Sequence, residues 1–443
     1  MSITNTKITY IKPHTSNIHE AFLLLLSIAF VCTSSFSLRL LRTETINISL
    51  PPLLAISIAI WIAFSILVHF LLNMWIPNRD VLMFPITNLL TGWGLITIWR
   101  LQGTYAFRYA LWYFISIICM LVIIRWSRNL TFLEKHPYLS LITGIFITGI
   151  TVLVGVSPSE IGPNLWLSIL PVNFINHKIY FQPSELLKVL IILFLAAYLS
   201  RKRTTLILEN IQNKYVLPAA FTIPLITMWS VSTFMVIIQG DLGAGWLIYW
   251  CFLVIFYLRT RRKRYALSGI ILFLIGVLLA YIYSDLVQFR LHGWIDPWFT
   301  DQTHFYQIDQ ALIAMNKGGI FGTGLGSGIS QYIPLNHSDF IFASIVSEWG
   351  HVGGVAIIAL LSTLIYRIFR SAQQLPRHSF SALLNTGIGV LFLVQTIINI
   401  GGILRILPLT GVPLIFLSYG GSAMLLAHIC MAFVFLTRNE KFG

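Results

Sequence analysis

Along the chain, long apolar runs alternate with short polar segments. Twelve runs stand out, near residues 21–38, 51–74, 81–99, 109–125, 139–156, 184–200, 216–238, 244–258, 266–284, 339–366, 382–404 and 414–437. A helix rises 1.5 Å per residue, so about 20 apolar residues cross a hydrocarbon core of about 30 Å. The pattern therefore predicts an all-α polytopic membrane protein of about twelve spans. The two longest polar intervals are 157–183 and 285–338, the second a large loop before the tenth span. No internal repeat links the two halves of the chain.

Composition supports this reading and removes others. Of 443 residues, 57% are hydrophobic and only 10% charged, whereas a soluble domain carries roughly 25% charged residues. The net charge of +14 does not point to nucleic acid, because no polar segment is long enough to carry a basic face with interleaved aromatics. The cations instead sit in short loops, where they set orientation. With the N-terminus inside, 20 of the 29 Lys and Arg residues are cytoplasmic, eight are external, and Lys188 lies within a span. The basic clusters Arg201-Lys202-Arg203 and Arg259–Arg264 then share one side, and both termini are cytoplasmic. Cys32, Cys119, Cys251 and Cys430 fall inside apolar runs without metal-ligand spacing and read as packing residues. The polar stretch before Ala21 lacks a cleavage pattern, which makes the first run a retained helix.

Polar and glycine-rich sequence concentrates on the external side. Segment 285–338 holds Gln288, Arg290, His292, Asp296, Trp298, Asp309, Lys317, His337 and the run 318–328 with six glycines. Gln182–Lys188, Gln239–Gly243, Asn399–Gly402, Pro408–Gly411 and Ser418–Ser422 converge on the same side. Such sequence survives at membrane depth only when buried in protein or lining a cavity, which predicts a shared pocket.

These segments carry a resemblance. Arg79-Asp80 opening a span, Trp166, QPSELLK (182–188), QGDLG (239–243), GGIFGTGLGSG (318–328), NHSDFIFA (336–343) with Glu348 and Gly350, and LPLTGVPLIFLSYGGS (407–422) resemble, in order and spacing, the SEDS proteins RodA, FtsW and SpoVE. The likeness runs from about Arg79 to Arg438. It implies a ten-helix core in residues 79–443, with residues 1–78 as an N-terminal extension of two transmembrane helices. It also implies a peptidoglycan glycosyltransferase that polymerises lipid II into glycan strands outside the cytoplasmic membrane, releasing undecaprenyl pyrophosphate, beside a class B penicillin-binding protein.

That chemistry needs a carboxylate to take a hydroxyl proton and positive charge for the departing pyrophosphate. The family's essential acid maps onto Asp339, as general base or as ligand of a divalent ion (Mg²⁺ or Mn²⁺) that positions the acceptor. The local alternative is that Ser338 or Asp339 caps the following helix. His337 orients the base, binds pyrophosphate or is simply a solvated loop histidine. Arg290, Lys317 and Arg405 are the external cations, and the turns around Gly324 and Gly326 either offer backbone N–H groups to an anion or serve only a close-packed loop over the pocket. Glu185 and Lys188, three apart on a helix, either support the site or form a structural pair; Asp241 either joins them or caps the next span. Ser338, Glu348 and Ser418 complete the candidate substrate contacts. Gly162-Pro163-Asn164-Leu165 replaces the arginines usual before Trp166, residues 173–180 are inserted, and Ser347 stands where an acid is common. A lipid II flippase and a weakly active scaffold for a penicillin-binding protein are the alternative functions; no paired half-repeats favour a transporter.

Overall fold

The computed structural model describes residues 13–43, 52–126, 130–157, 164–172, 177–201, 219–295 and 306–439. Lys202, Arg203, Gly162, Pro163, Asp296, Trp298 and the insertion's residues 173–176 lie outside them. The helices are α1 (Pro13–Thr43), α2 (Pro52–Trp75), α3 (Met83–Leu101), α4 (Gly103–Trp126), α5 (Thr131–Lys135), α6 (Pro137–Val154), α7 (Pro183–Ser200), α8 (Ala219–Ile238) and α9 (Leu242–Thr260). There follow α10 (Lys263–Tyr283), α11 (Asp285–Ile295), α12 (Tyr306–Gly318), a 3₁₀ turn at Ser330–Tyr332, α13 (Ile341–Gln373), α14 (Phe380–Ile403) and α15 (Gly421–Asn439).

Each of the twelve apolar runs coincides with a helix, and the protein is a multi-pass membrane protein. Among the described residues, ten helices are long and apolar enough to span. The other two are α3 and α8. Helix α3 is less apolar because it is buried nearly all round, with Thr87, Asn88, Thr91 and Thr97 facing protein. In contrast, none of α10 is buried; its main contacts among the described residues are with α9 and α11, and its leucines face outward, as lipid allows. The last run starts later than expected, because residues 414–420 form a turn with Phe416 in the left-handed region (φ 62°).

One departure from an all-helical chain is a small antiparallel hairpin, β1 (Leu167–Val172) paired with β2 (His177–Phe181). It falls where the insertion lengthens the loop, and β-branched and aromatic residues (Val172, Ile179, Tyr180, Phe181) suit extended backbone.

At the centre α7 packs on α6 and α14, α13 on α14 and α3, and α15 on α4. The N-terminal pair docks on this bundle, α1 along α3 and α2 along α4. Phe30 of α1 meets Trp93 and Trp349 at 5.2 and 5.3 Å between ring centres. At one end of α3 the bundle is tied by charge. Arg79 donates to Glu20 at 2.6 Å, and Asp80 pairs with Arg367 and Arg438, each at 3.3 Å. These groups bring α1, α3, α13 and α15 together at the end opposite Arg100.

Helix α13 is broken at Gly350 (φ 70°, ψ −173°). There Val352 N–H donates to the Ile320 carbonyl and His351 N–H to Gly319, while Gly324 N–H and Thr323 N–H donate back to Glu348 and Ser347. The glycine-rich run thus docks edge-on against the break. A Cβ on Gly350 would lie 2.2 Å from the Ile320 oxygen, and one on Gly322 would lie 2.0 Å from the Glu348 oxygen. Only glycine allows this approach.

Candidate active site

The site is built from the turn ahead of α13. Ser338 N–H and Phe340 N–H both donate to the carbonyl of Leu335, itself at φ 53°. Asn336 Nδ2 donates to Ser330 O at 2.9 Å, and Ser344 Oγ donates to Asn336 O at 3.2 Å. Asp339 closes the turn. Helix α13 begins at Ile341 with Phe340 at its N-cap and no side-chain cap, and the Asp339 carboxylate makes no capping bond to the helix.

Three other segments surround that carboxylate. From α14, Asn399 Nδ2 donates to the Asp339 carbonyl at 3.0 Å and to Val412 O at 2.7 Å. From the loop after α14, Gly411 (φ +72°) presents its Cα face to Asp339, and a Cβ there would sit 3.4 Å from Oδ2. From α11, Arg290 Nη1 donates to Thr410 O at 3.5 Å. Burial raises the Asp339 pKa from 3.8 to about 6; Arg290's charge and a Ser338 hydrogen bond oppose the rise, and Asp241 adds to it. The side chain is half-buried and keeps access to solvent. It is thus a carboxylate at neutral pH, poised to accept a proton. Burial lowers the Arg290 pKa, and Asp241 and then Asp339 raise it.

His337 stacks on Tyr105 at 4.7 Å, with Tyr419 at 5.7 Å. Burial lowers its pKa to about 4, so it is a neutral ring at pH 7. Ser418 joins two segments: its Oγ accepts from Leu414 N–H at 2.8 Å and donates to Ser338 O at 2.7 Å. Asp241 caps α9 through Ala244 N–H and also accepts from Gln182 Nε2 at 3.0 Å and Ser184 Oγ at 2.9 Å. It therefore ties the start of α7 to the start of α9. One turn deeper, Glu185 and Lys188 pair at 2.6 Å, both buried. A cavity with room for about one water lies against this pair, lined also by Phe392, Ala427 and Cys430.

The remaining candidates fall elsewhere. Glu348 pairs with Arg100 beneath the glycine run, and Arg100 also reaches Ser330 Oγ and, at 2.8 Å, Gly328 O. Gly324 and Gly326 belong to this scaffold. Gly324 N–H bonds Glu348 O, and a Cβ on Gly326 would lie 3.3 Å from Leu38 of α1. Arg405 is not a free cation: Nε donates to Trp294 O at 2.8 Å, Nη2 donates to Ile295 O, and Trp294 Nε1 donates back to Arg405 O. It satisfies the last carbonyls of α11, as a cation at a helix C-terminus does. Lys317 is exposed at the end of α12 and pairs with no acid among the described residues. Of the three expected cations, Arg290 is the one set beside Asp339.

Sequence reasoning passed over Arg100, Arg108, Tyr105 and the individual role of Asn399. Arg108 lies over the Tyr105 ring at 5.3 Å, and its charge acts on the Tyr419 hydroxyl. Two arginines at helix ends look like topology signals, so nothing in their local sequence marks them. For a divalent ion the donor set fits poorly. Asp241's oxygens are already occupied, and no three His, Cys, Asp or Glu residues converge among the described residues.

Comparisons with known proteins agree with this architecture. Residues 81–441 match the family model FTSW_RODA_SPOVE, described as "Cell cycle protein". Over 380 residues the chain is 32% identical to the peptidoglycan glycosyltransferase RodA of Mycobacterium tuberculosis, covering 82% of this chain and 79% of that one. It is 30% identical over 345 residues to the probable peptidoglycan glycosyltransferase FtsW of Wigglesworthia glossinidia brevipalpis, covering 76% and 84%. Among solved structures, a chain from a peptidoglycan synthase complex that coordinates polymerization and crosslinking matches with TM-score 0.66 and 20% identity, over 82% of this chain and 99% of that one. The rod shape determining protein RodA of Thermus thermophilus matches with TM-score 0.59 and 20% identity, over 83% and 98%. The chain therefore belongs to the FtsW/RodA/SpoVE family.

Proposed function

We propose that the protein is a peptidoglycan glycosyltransferase that polymerises lipid II. The observation that carries the reading is Asp339, half-buried, uncommitted to helix capping and set beside Arg290. In the reaction an acceptor sugar hydroxyl attacks the anomeric carbon of the donor. The new C–O bond forms as the bond to the polyprenyl pyrophosphate breaks, and the hydroxyl proton passes to Asp339 Oδ. A base with a pKa near the working pH is efficient in such a transfer. Arg290 faces the charge that develops on the departing pyrophosphate. The neutral His337 ring, held against Tyr105 and Tyr419, fixes the turn's shape and offers a flat face to a sugar.

In this reading the Asp339 end faces outward from the cytoplasmic membrane. The Asp80 end, which gathers Arg79, Arg367 and Arg438, faces the cytoplasm with both termini, as the bias of basic residues supports. The chain supplies polymerisation only, and a class B penicillin-binding protein supplies cross-linking; the solved complex that joins both activities in a related fold supports that pairing.

The test is polymerisation of labelled lipid II by the purified protein, with its penicillin-binding partner present. Glycan chains from the wild type and none from a folded Asp339→Ala variant are expected, with wild-type turnover rising as pH passes through about 6. Polymer from Asp339→Ala at the wild-type rate refutes the role of Asp339, and no polymer from the wild type refutes the activity.

A further inference from the structure

We infer that Asn399 is a positioning residue for this reaction, its single amide holding the Asp339 turn against the loop that anchors Arg290. The inference rests on the reading of Asp339 as the base. Asn399 lies in the last turns of α14 and is only 4% exposed. One Nδ2 group donates to the carbonyl of Asp339 itself at 3.0 Å and to that of Val412 at 2.7 Å. Those acceptors lie 60 and 13 residues away in the chain, and both hydrogens of the amide are spent on them. The loop so held contributes Thr410, whose carbonyl takes the guanidinium of Arg290, and Gly411, which sits against Asp339 Oδ2. Carboxylate and guanidinium are therefore set relative to one another through Asn399.

The other half of the amide strengthens the argument. Asn399 Oδ1 is buried and has no partner among the described residues, and a buried unpaired acceptor is costly. An apolar side chain of that size would avoid the cost, so what the position requires is the paired N–H donors. The charged groups that act on Asp339 are Arg290 from α11 and Asp241 from the start of α9, while His337 of the same turn stacks on Tyr105. Asn399 carries no charge, so its effect on the site is through geometry. Gln395, one turn earlier and equally buried, donates to Pro413 O at 2.9 Å. It braces the same loop without touching Asp339, and so separates loop support from positioning of the base.

The experiment measures kcat, KM for lipid II and the pH profile of kcat for the full-length protein and its Asn399→Ala, Asn399→Asp and Gln395→Ala variants. Asn399→Asp keeps the shape and replaces the donors with a carboxylate oxygen. Misplacement of a reacting group by about 1 Å costs on the order of 10²-fold in rate. Both Asn399 variants should therefore lose about 10²-fold in kcat with KM within about twofold. The acidic limb of Asn399→Ala should also move to lower pH as the loosened carboxylate meets more water. Gln395→Ala should keep kcat within about threefold. Wild-type kcat in folded Asn399→Asp overturns the inference, as does a loss confined to KM. Failure of both Asn399 variants to fold while Gln395→Ala folds makes the residue structural and overturns it too. An inactive wild type removes the underlying reading instead, and is recognised because every variant is then equally silent.

Discussion

Replacing Asp339 with asparagine should stabilise the protein while abolishing its activity. The carboxyl has a pKa of about 6 in the folded protein against 3.8 ordinarily, so ionising it in place is unfavourable. At about 1.4 kcal/mol per pH unit, the cost approaches 3 kcal/mol at pH 8, with the attraction of Arg290 already included. The side chain is only half-buried and water screens part of this, which leaves roughly 2 kcal/mol as the expected gain for Asp339→Asn. The pH dependence has a definite sign. A carboxyl whose folded pKa is raised favours folding while protonated, and that support is lost as pH rises through about 6. The variant should therefore exceed the wild type in stability at pH 8. The gap should narrow between pH 6 and about 4, and change no further below the ordinary value of 3.8. Reversible unfolding of both proteins in mixed micelles at pH 8, 6 and 4 reads this directly. A variant less stable than wild type at pH 8, or a gap independent of pH, would refute the account of a desolvated base held at the expense of stability.

Three further outcomes follow from the packing. Arg100→Met leaves Glu348 buried without its partner and should cost about 3–5 kcal/mol, most of it recovered in the double variant with Glu348→Leu; equal stability of Arg100→Met and wild type contradicts the pairing. Gly350→Ala meets the Ile320 oxygen at a positive φ and should cost several kcal/mol, seen as loss of folded protein by size-exclusion chromatography, whereas Gly276→Ala, with open space around it, should be silent. Ser330 is fully buried against Arg100, so sidedness is better probed at the exposed Gln331 and Gln374. Gln331→Cys should react with an impermeant thiol reagent from outside the cell and Gln374→Cys should not, and the reverse pattern inverts the topology.

The candidate site was legible in part. Asp339 stood out because it falls in the NHSDFIFA motif that carries the family resemblance, whereas its local sequence reads equally well as a helix cap. That it is free of capping duty was not legible, since Ser338-Asp339 before a helix reads the same whether or not the side chain turns back to the backbone. Arg290, Lys317 and Arg405 looked equivalent as external cations. The fold sends one to Asp339, one to the surface and one to the carbonyls of α11. Arg100 and Arg108, which read as loop charges, turn inward to Glu348 and Tyr419.

By itself the sequence determined the membrane class and the twelve apolar helices, because each depends on one segment meeting lipid. Partition into a bilayer is decided largely segment by segment, so a one-dimensional pattern suffices. Tertiary structure alone decided which polar groups meet. The contacts of Asn399 with Asp339, of Arg290 with Thr410, and of the glycine run with the break at Gly350 join segments far apart in sequence. Their pairing is set by how buried helices pack and by the need of each buried polar group for a partner, and neither is written in local order.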